Sequence, residues 1–303
     1  MTGFVALLRR ELWEHRSILI VPATLAGLIL STVLGSAIYA LVRGYGLEMV
    51  FDNHWHSNPD TVEMGRHVPA AFIAMAAFFG IVLTINVTLY LVDCLYADRR
   101  DRSILFWKSL PISDTATVLS KLTTALLVAP AAALVAAFAT TFILAIAATV
   151  VLWSHGVENT SGLWQVQPLL SVIVGMPALT LMIAAWYVPV AAWCVLASAW
   201  APRAPLLWAA LPPVALIIVE QIAFGTHRVP EFLGDRMGGV FPRLFDTRHY
   251  VGFGIRDDEF VGTLPALQDI SSYLTSLDLW GGFVAAAVFV AGAIALRRYR
   301  DET

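Results

Sequence analysis

The stretch SILIVPATLAGLILSTVLGSAIYALV, residues 17–42, contains no charged side chain and is bounded by Arg16 and Arg43. Five similar stretches follow it, at residues 69–92, 122–157, 159–202, 204–219 and 279–296. About 20 apolar residues, rising 1.5 Å each in a helix, cross a hydrocarbon core of ~30 Å. Because lipid offers no hydrogen-bond partners, each stretch must bond its own backbone and is predicted to be a helix. Only 14% of the residues are charged, and the pattern predicts an all-α membrane protein with six transmembrane helices.

The basic residues are unevenly distributed among the segments that join these stretches. If the six helices alternate in direction, one side of the membrane carries twelve of the 19 Lys and Arg residues. These twelve are Arg9, Arg10, Arg16, Arg99, Arg100, Arg102, Lys108, Lys121, Arg203, Arg297, Arg298 and Arg300. The other seven lie in longer segments on the opposite side. The positive-inside rule therefore predicts that both termini are cytoplasmic.

Residues 1–16 are predicted to form an amphipathic helix that precedes the first span. At 100° per residue, one arc of this helix is apolar, and it carries Phe4, Val5, Leu7, Leu8 and Leu12. Such a helix is expected to lie on the inner leaflet, with Trp13 at the depth of the headgroups. Glu11 intrudes on the apolar arc, and the alternative is a cytoplasmic extension of the first span.

Residues 17–303 are predicted to form one six-helix domain. Its fourth stretch contains Pro177 and Pro189, and its fifth contains Pro212 and Pro213. Because each proline frees a backbone carbonyl, these two helices are expected to face protein rather than lipid. The extracytoplasmic segment 225–275 is short for an independent domain without disulfides, and we expect a small cap against the membrane domain.

The densest charge lies between the second and third stretches, in residues 96–114, YADRRDRSILFWKSLPISD. Pro111 is expected to end a short helix that bears Phe106 and Trp107, and Ser113 is placed to cap the next helix. Aromatic residues and arginine are enriched at interface hot spots, so the segment could dock another protein. The alternative is a juxtamembrane loop whose basic residues set the topology and contact anionic lipid.

Three short runs carry a resemblance to a known family. They are Ser109-Leu-Pro-Ile-Ser113, Val118-Leu-Ser-Lys121 and the opening LLRRELWE at residues 7–14. Together with the six-span plan, they resemble the permease subunits of ABC transporters of the second exporter type. The resemblance implies a multi-pass subunit of a bacterial inner membrane, paired with a second copy or a similar chain.

In that family, the loop between helices two and three forms a coupling helix that enters a cleft on an ABC ATPase subunit. The resemblance implies that this partner, and not the present chain, binds ATP and magnesium. Carried over by position, the residues expected to contact the ATPase are Arg99, Asp101, Arg102, Ile104, Phe106, Trp107 and Lys108. The opening helix would line the same interface with Arg10, Trp13 and Glu14.

Several catalytic and binding motifs are missing from the sequence. There is no G-x-x-x-x-G-K-[ST] phosphate loop, no H-E-x-x-H and no G-x-S-x-G, so we predict no catalytic residues and no ATPase activity in this chain. His54 and His56 lie near carboxylates, but nothing in their spacing fixes a tetrahedral site, and no metal is predicted. Cys94 and Cys194 fall near the cytoplasmic side, where a disulfide is not expected. No nucleic-acid partner is predicted.

Two other classes of function remain as alternatives. An ion-coupled secondary transporter would keep ionisable residues inside its spans, whereas Asp93 and Glu220 lie near helix ends. An intramembrane enzyme could use His15, Asp93 or the histidines of the first outer segment, but these residues are distributed over both sides of the membrane.

Overall fold

The computed structural model describes residues 2–43, 61–101, 112–154, 157, 159–238, 255–256, 259–260, 271 and 273–299. The helices in this part of the chain are α1 (Thr2–Glu14), α2 (Ser17–Arg43), α3 (Thr61–Arg100), α4 (Asp114–Thr123), α5 (Ala129–Ser154), α6 (Val166–Trp200), α7 (Pro205–Phe224), α8 (Arg228–Gly238) and α9 (Leu277–Tyr299). A π turn, Thr124–Val128, joins α4 to α5, and a 3₁₀ turn, Ser161–Leu163, precedes α6. Two short strands, β1 (Ile255–Arg256) and β2 (Glu259–Phe260), form an antiparallel pair.

Six helices among the described residues are long and apolar enough to cross a membrane, which confirms the predicted number of spans. The third span consists of α4, the π turn and α5. It begins at Asp114, so Lys121 lies inside the helix rather than before it. The fifth span continues past Glu220 to Phe224. Both charges were expected to mark boundaries, and both lie inside helices because other parts of the chain pair with them.

The spans pack around α6, which contacts α3, α7 and α9, while α2 packs on α5. The prediction that α6 faces protein is confirmed by its many buried residues, among them Trp186 and Pro189. Within the single chain, α7 contacts α6 and α3 but Glu220 is its one buried residue, so for α7 the expectation stays a prediction.

The π turn occupies the third span just after Lys121. On both sides of it, buried residues recur at every fourth position, namely Lys121, Ala125, Ala129, Ala133 and Ala137. In a regular helix of 3.6 residues per turn, a four-residue repeat drifts around the helix by about 40° at each step. A π turn takes up extra chain within one turn, which offsets part of this drift.

The first helix, α1, packs against α4 rather than standing apart from the bundle. Leu7 and Glu11 are buried on this side, whereas Val5 and Trp13 are exposed on the opposite side. Glu11 thus lies at the centre of the face that meets protein, which explains its position within an otherwise apolar arc. The contact of α1 with the inner leaflet stays a prediction.

Candidate functional site

Charged side chains from four helices meet at the end of the bundle where α1 lies. We call them the ionic cluster, and they are Arg10, Glu11, Asp98, Asp114, Lys121 and Arg297. They come from α1, the end of α3, α4 and the end of α9. Because helices from distant parts of the sequence supply them, the cluster joins the opening helix to three of the spans.

Lys121 and Glu11 are the most deeply buried members of the ionic cluster. The Lys121 side chain is 0% exposed, and its Nζ lies 3.1 Å from Oε1 of Glu11, which is also 0% exposed. The same Nζ lies 3.6 Å from Oδ2 of Asp98. The Tyr90 hydroxyl donates to Oε2 of Glu11 at 2.9 Å. A buried ammonium is stable only when it is paired, so these contacts allow Lys121 to lie inside an apolar helix.

Asp98 and Arg297 join the remaining members of the ionic cluster. Nη1 of Arg297 donates to Oδ2 of Asp98 at 3.0 Å, and its Nε donates to Oδ1 of Asp114 at 3.0 Å. Nη2 of Arg10 lies 3.6 Å from Oδ1 of Asp98. The Asp98 carboxylate therefore lies within 4 Å of three cationic groups. Asp114 also starts α4, where Ser113 caps the helix as predicted by accepting from the Ala116 amide.

A second contact joins the ends of α3 and α6 beside the ionic cluster. The Ser198 hydroxyl accepts from the backbone amides of Leu95 and Tyr96 at 2.9 and 3.0 Å. In return, Nη2 of Arg99 donates to the carbonyls of Ser198 and Ala201 at 2.6 and 2.9 Å. A cation at a helix C-terminus satisfies its free carbonyls and favours its dipole. Arg99 thus holds α6 against α3.

His15 lies at the edge of the ionic cluster, between α1 and α2. Its ring packs edge-on against Tyr90, with ring centroids 4.7 Å apart. Burial lowers the pKa of His15 below its ordinary value, and the positive charge of Lys121 lowers it further. The neutral form is therefore favoured in the folded protein.

This lowered pKa predicts a loss of stability in acid that depends on His15. Because the unfolded chain binds the proton more readily, folding stability falls as the pH drops below the ordinary pKa of 6.5. We expect His15→Gln to lose less stability than wild type between about pH 7.5 and about pH 5.5. Thermal unfolding of both proteins in one detergent, over a pH series, measures the difference. Parallel pH profiles would contradict the assignment.

The structure places the residues predicted to contact an ATPase in different environments. Arg99 and Arg10 are engaged within the chain, the first on α6 and the second with Glu14 at 2.8 Å and with Asp98. Trp13, Glu14 and Asp101 are exposed near the same end of the bundle. The remaining predicted contacts lie outside the described residues, and they are Arg102, Ile104, Phe106, Trp107 and Lys108. Their role stays a prediction.

One group of side chains in the described part of the chain has donor atoms close enough for a metal ion. The ligand atoms of Glu11, Glu14 and His15 lie within 4.8 Å of one another. Glu11, however, is already paired with Lys121 and accepts a hydrogen bond from Tyr90. The ammonium beside this carboxylate opposes a second cation, so the group is better explained as part of the ionic cluster.

Sequence reasoning missed the cluster as a unit, although its members were visible singly. Glu11 stood out as a charge on an apolar arc, and Lys121 stood at the start of an uncharged stretch. The signal that could have joined them is that each is an isolated charge on the buried side of a helix. Nothing in their spacing showed that positions 11, 98, 121 and 297 meet.

Comparison of this chain with family models, with curated proteins and with solved structures finds no match.

Proposed function

We propose that this chain is the membrane-spanning subunit of an ATP-driven ABC exporter. A separate ATPase subunit would hydrolyse ATP, with magnesium, and this chain would couple the hydrolysis to translocation of a substrate. The chain would lie in a bacterial inner membrane with both termini in the cytoplasm, where the excess of basic residues favours them.

The observation that supports this proposal is the way in which the ionic cluster brackets the predicted coupling segment. Asp98 and Asp114 lie near the two ends of this segment, residues 96–114, and both carboxylates bind the guanidinium of Arg297. The two ends of the predicted coupling segment are therefore joined through one arginine of α9. A displacement of the segment by an ATPase would move the ends of α3, α4 and α9 together rather than bend one of them.

This geometry suggests how work done by the partner reaches the spans. Closure of two ATPases on ATP would shift the coupling segment, and the ionic cluster would pass the shift to α1 and to three spans. A rigid-body movement of this kind changes the packing between two permease subunits and alters access to the path between them. The second permease would be another copy of this chain or a similar chain. The exposed sides of α7, including Leu211 and Leu216, offer apolar surface for that contact or for lipid.

The proposal is tested by replacing the aromatic residue at the predicted docking point. We expect Trp107→Asp to abolish the stimulation of a partner ATPase in proteoliposomes, because a desolvated hot-spot tryptophan is replaced by a charge. The ATPase is identified by co-purification with the wild-type chain from the native membrane. Trp153→Asp is the matched control, since Trp153 is exposed at the other end of the bundle. Equal stimulation by wild type and Trp107→Asp would refute the assignment.

One observation favours a second candidate function, an ion-coupled secondary transporter. Buried ionisable residues in a membrane domain often carry coupling ions, and the ionic cluster contains several. Such sites lie near the middle of the bilayer, whereas this cluster lies at helix ends and its cations are paired with carboxylates. Substrate transport that follows a proton or sodium gradient without any ATPase would select this function.

A further inference from the structure

The short helix α8 is fixed to the spans at its N-terminus by Glu220 of α7. This carboxylate is 8% exposed and accepts three hydrogen bonds. The donors are the hydroxyl of Thr226 at 2.6 Å and the backbone amides of Arg228 and Val229 at 2.8 and 2.7 Å. A carboxylate at this position satisfies free amides and favours the helix dipole. Glu220 thus sets where α8 begins.

The other end of α8 is fixed by Arg236. This side chain is 5% exposed, and its guanidinium lies 4.6 Å from the centroid of the Trp186 ring in α6. Arg236 also donates to the backbone carbonyl of Asp278 in α9. In the reverse direction, Nε1 of Trp186 donates to the carbonyl of Asp235 at 3.0 Å. With both ends held, α8 packs on α6 and α7, and its Arg236 reaches α9.

The depth of α8 can be measured along α9, which runs beside α6. The guanidinium of Arg236 lies against Gly282, fifteen residues before Arg297 of the ionic cluster. At 1.5 Å per residue, this separation is about 22 Å. The same guanidinium contacts the carbonyl of Asp278, which is nineteen residues, or about 28 Å, from Arg297. If the ionic cluster marks one boundary of a hydrocarbon core of ~30 Å, the Arg236 guanidinium lies roughly 2–8 Å inside the other boundary. Amphipathic helices that lie in the plane of a membrane are buried by ~5–10 Å, a range that overlaps this depth.

One side of α8 is apolar and the other is polar, as expected for a helix at the boundary between lipid and water. One arc carries Val229, Phe232, Leu233, Arg236 and Met237, and the other carries Arg228, Glu231 and Asp235. Arg236 is turned into the bundle, whereas Phe232 and Met237 are 59% and 72% exposed on either side of it. Their exposed surface continues that of Ile222 and Phe224 at the end of α7.

We propose that α8 lies within the membrane leaflet remote from the ionic cluster, with Phe232 and Met237 in contact with phospholipid acyl chains. The polar arc, with Glu231, faces water. Glu220 and Arg236 hold the helix at this depth, so it moves with the spans. The proposal depends on neither the transport function nor the direction of the chain across the membrane.

Fluorescence quenching in lipid nanodiscs tests the depth of each side of α8. Phe232→Cys, Met237→Cys and Glu231→Cys are made separately in a Cys94→Ala, Cys194→Ala background and labelled with bimane. Phospholipids brominated on their acyl chains are expected to reduce the emission at positions 232 and 237 about twofold or more, with little effect at 231. Iodide in the buffer is expected to show the reverse order.

Two control positions calibrate the quenching by lipid and by iodide. Leu216→Cys, on an exposed side of α7, reports a position facing lipid, and Trp13→Cys, on the exposed side of α1, reports the cluster end of the bundle. Strong iodide quenching at 232 and 237 would place α8 outside the membrane and overturn the proposal. Protection of both positions from lipid and from iodide would show that protein covers them, which also overturns it.

Discussion

Replacement of Lys121 with methionine is expected to destabilise the protein by roughly 3–5 kcal/mol, because Glu11 is left as a buried charge without its nearest cation. Methionine keeps the length and the apolar stem of lysine, so the change removes the charge with little loss of volume. Unfolding in mixed detergent, followed by circular dichroism, measures the free energy. The effect is expected to exceed that of any substitution at an exposed ion pair.

The double variant Lys121→Met, Glu11→Gln separates charge from packing. Glutamine is neutral but retains an oxygen to accept from the Tyr90 hydroxyl, and Asp98 keeps Arg297 as its partner. Replacing both members of a buried pair is often nearly neutral, so the double variant is expected to recover most of the loss. A double variant no more stable than Lys121→Met would show that the pair is not the source of the effect.

Replacement of Asp98 with leucine is expected to have the second large effect, roughly 3 kcal/mol or more, because a buried counter-charge is lost. Its carboxylate lies 3.0 Å from Arg297 and 3.6 Å from both Lys121 and Arg10. Without it, three cationic groups converge on an apolar side chain and repel one another. Asp98→Asn, which keeps one acceptor oxygen, is expected to fall between leucine and wild type in the same unfolding assay.

Asp101→Leu is the matched control for Asp98→Leu. Asp101 lies three residues further along the chain and pairs with Arg100 at 3.0 Å, but its side chain is 61% exposed. Exposed pairs contribute little, because water solvates both partners when they separate. Equal effects at positions 98 and 101 would contradict a special role for the ionic cluster.

The six spans were predictable because their signal is local. A run such as residues 17–42 must be helical in lipid whatever its neighbours are, and the structure confirms a helix there at Ser17–Arg43. The cap at Ser113 is local in the same sense, since a serine before Asp114 needs only the next turn of the helix. Helix boundaries were less well predicted, because Lys121 and Glu220 are charges that the folded chain brings inside.

The ionic cluster and the position of α8 were not predictable, because both depend on contacts between distant residues. Lys121 and Glu11 are 110 positions apart, and Arg297 and Asp98 are 199 apart. The apolar stretch around Lys121 resembles any other helix until Glu11 is known to lie against it. Arg236, likewise, is one of several charges in a long segment, and nothing in the sequence indicates that it lies against Trp186.

The π turn at Thr124–Val128 links the number of residues in the third span to the position of Lys121. A homologue that has lost one residue there would return to a regular helix, in which each residue turns by about 100°. The part of the third span that precedes the turn would then rotate relative to the part that follows it, and Lys121 would lose its contacts with Glu11 and Asp98. Deletion at this point and substitution of Lys121 are therefore expected to occur together during divergence.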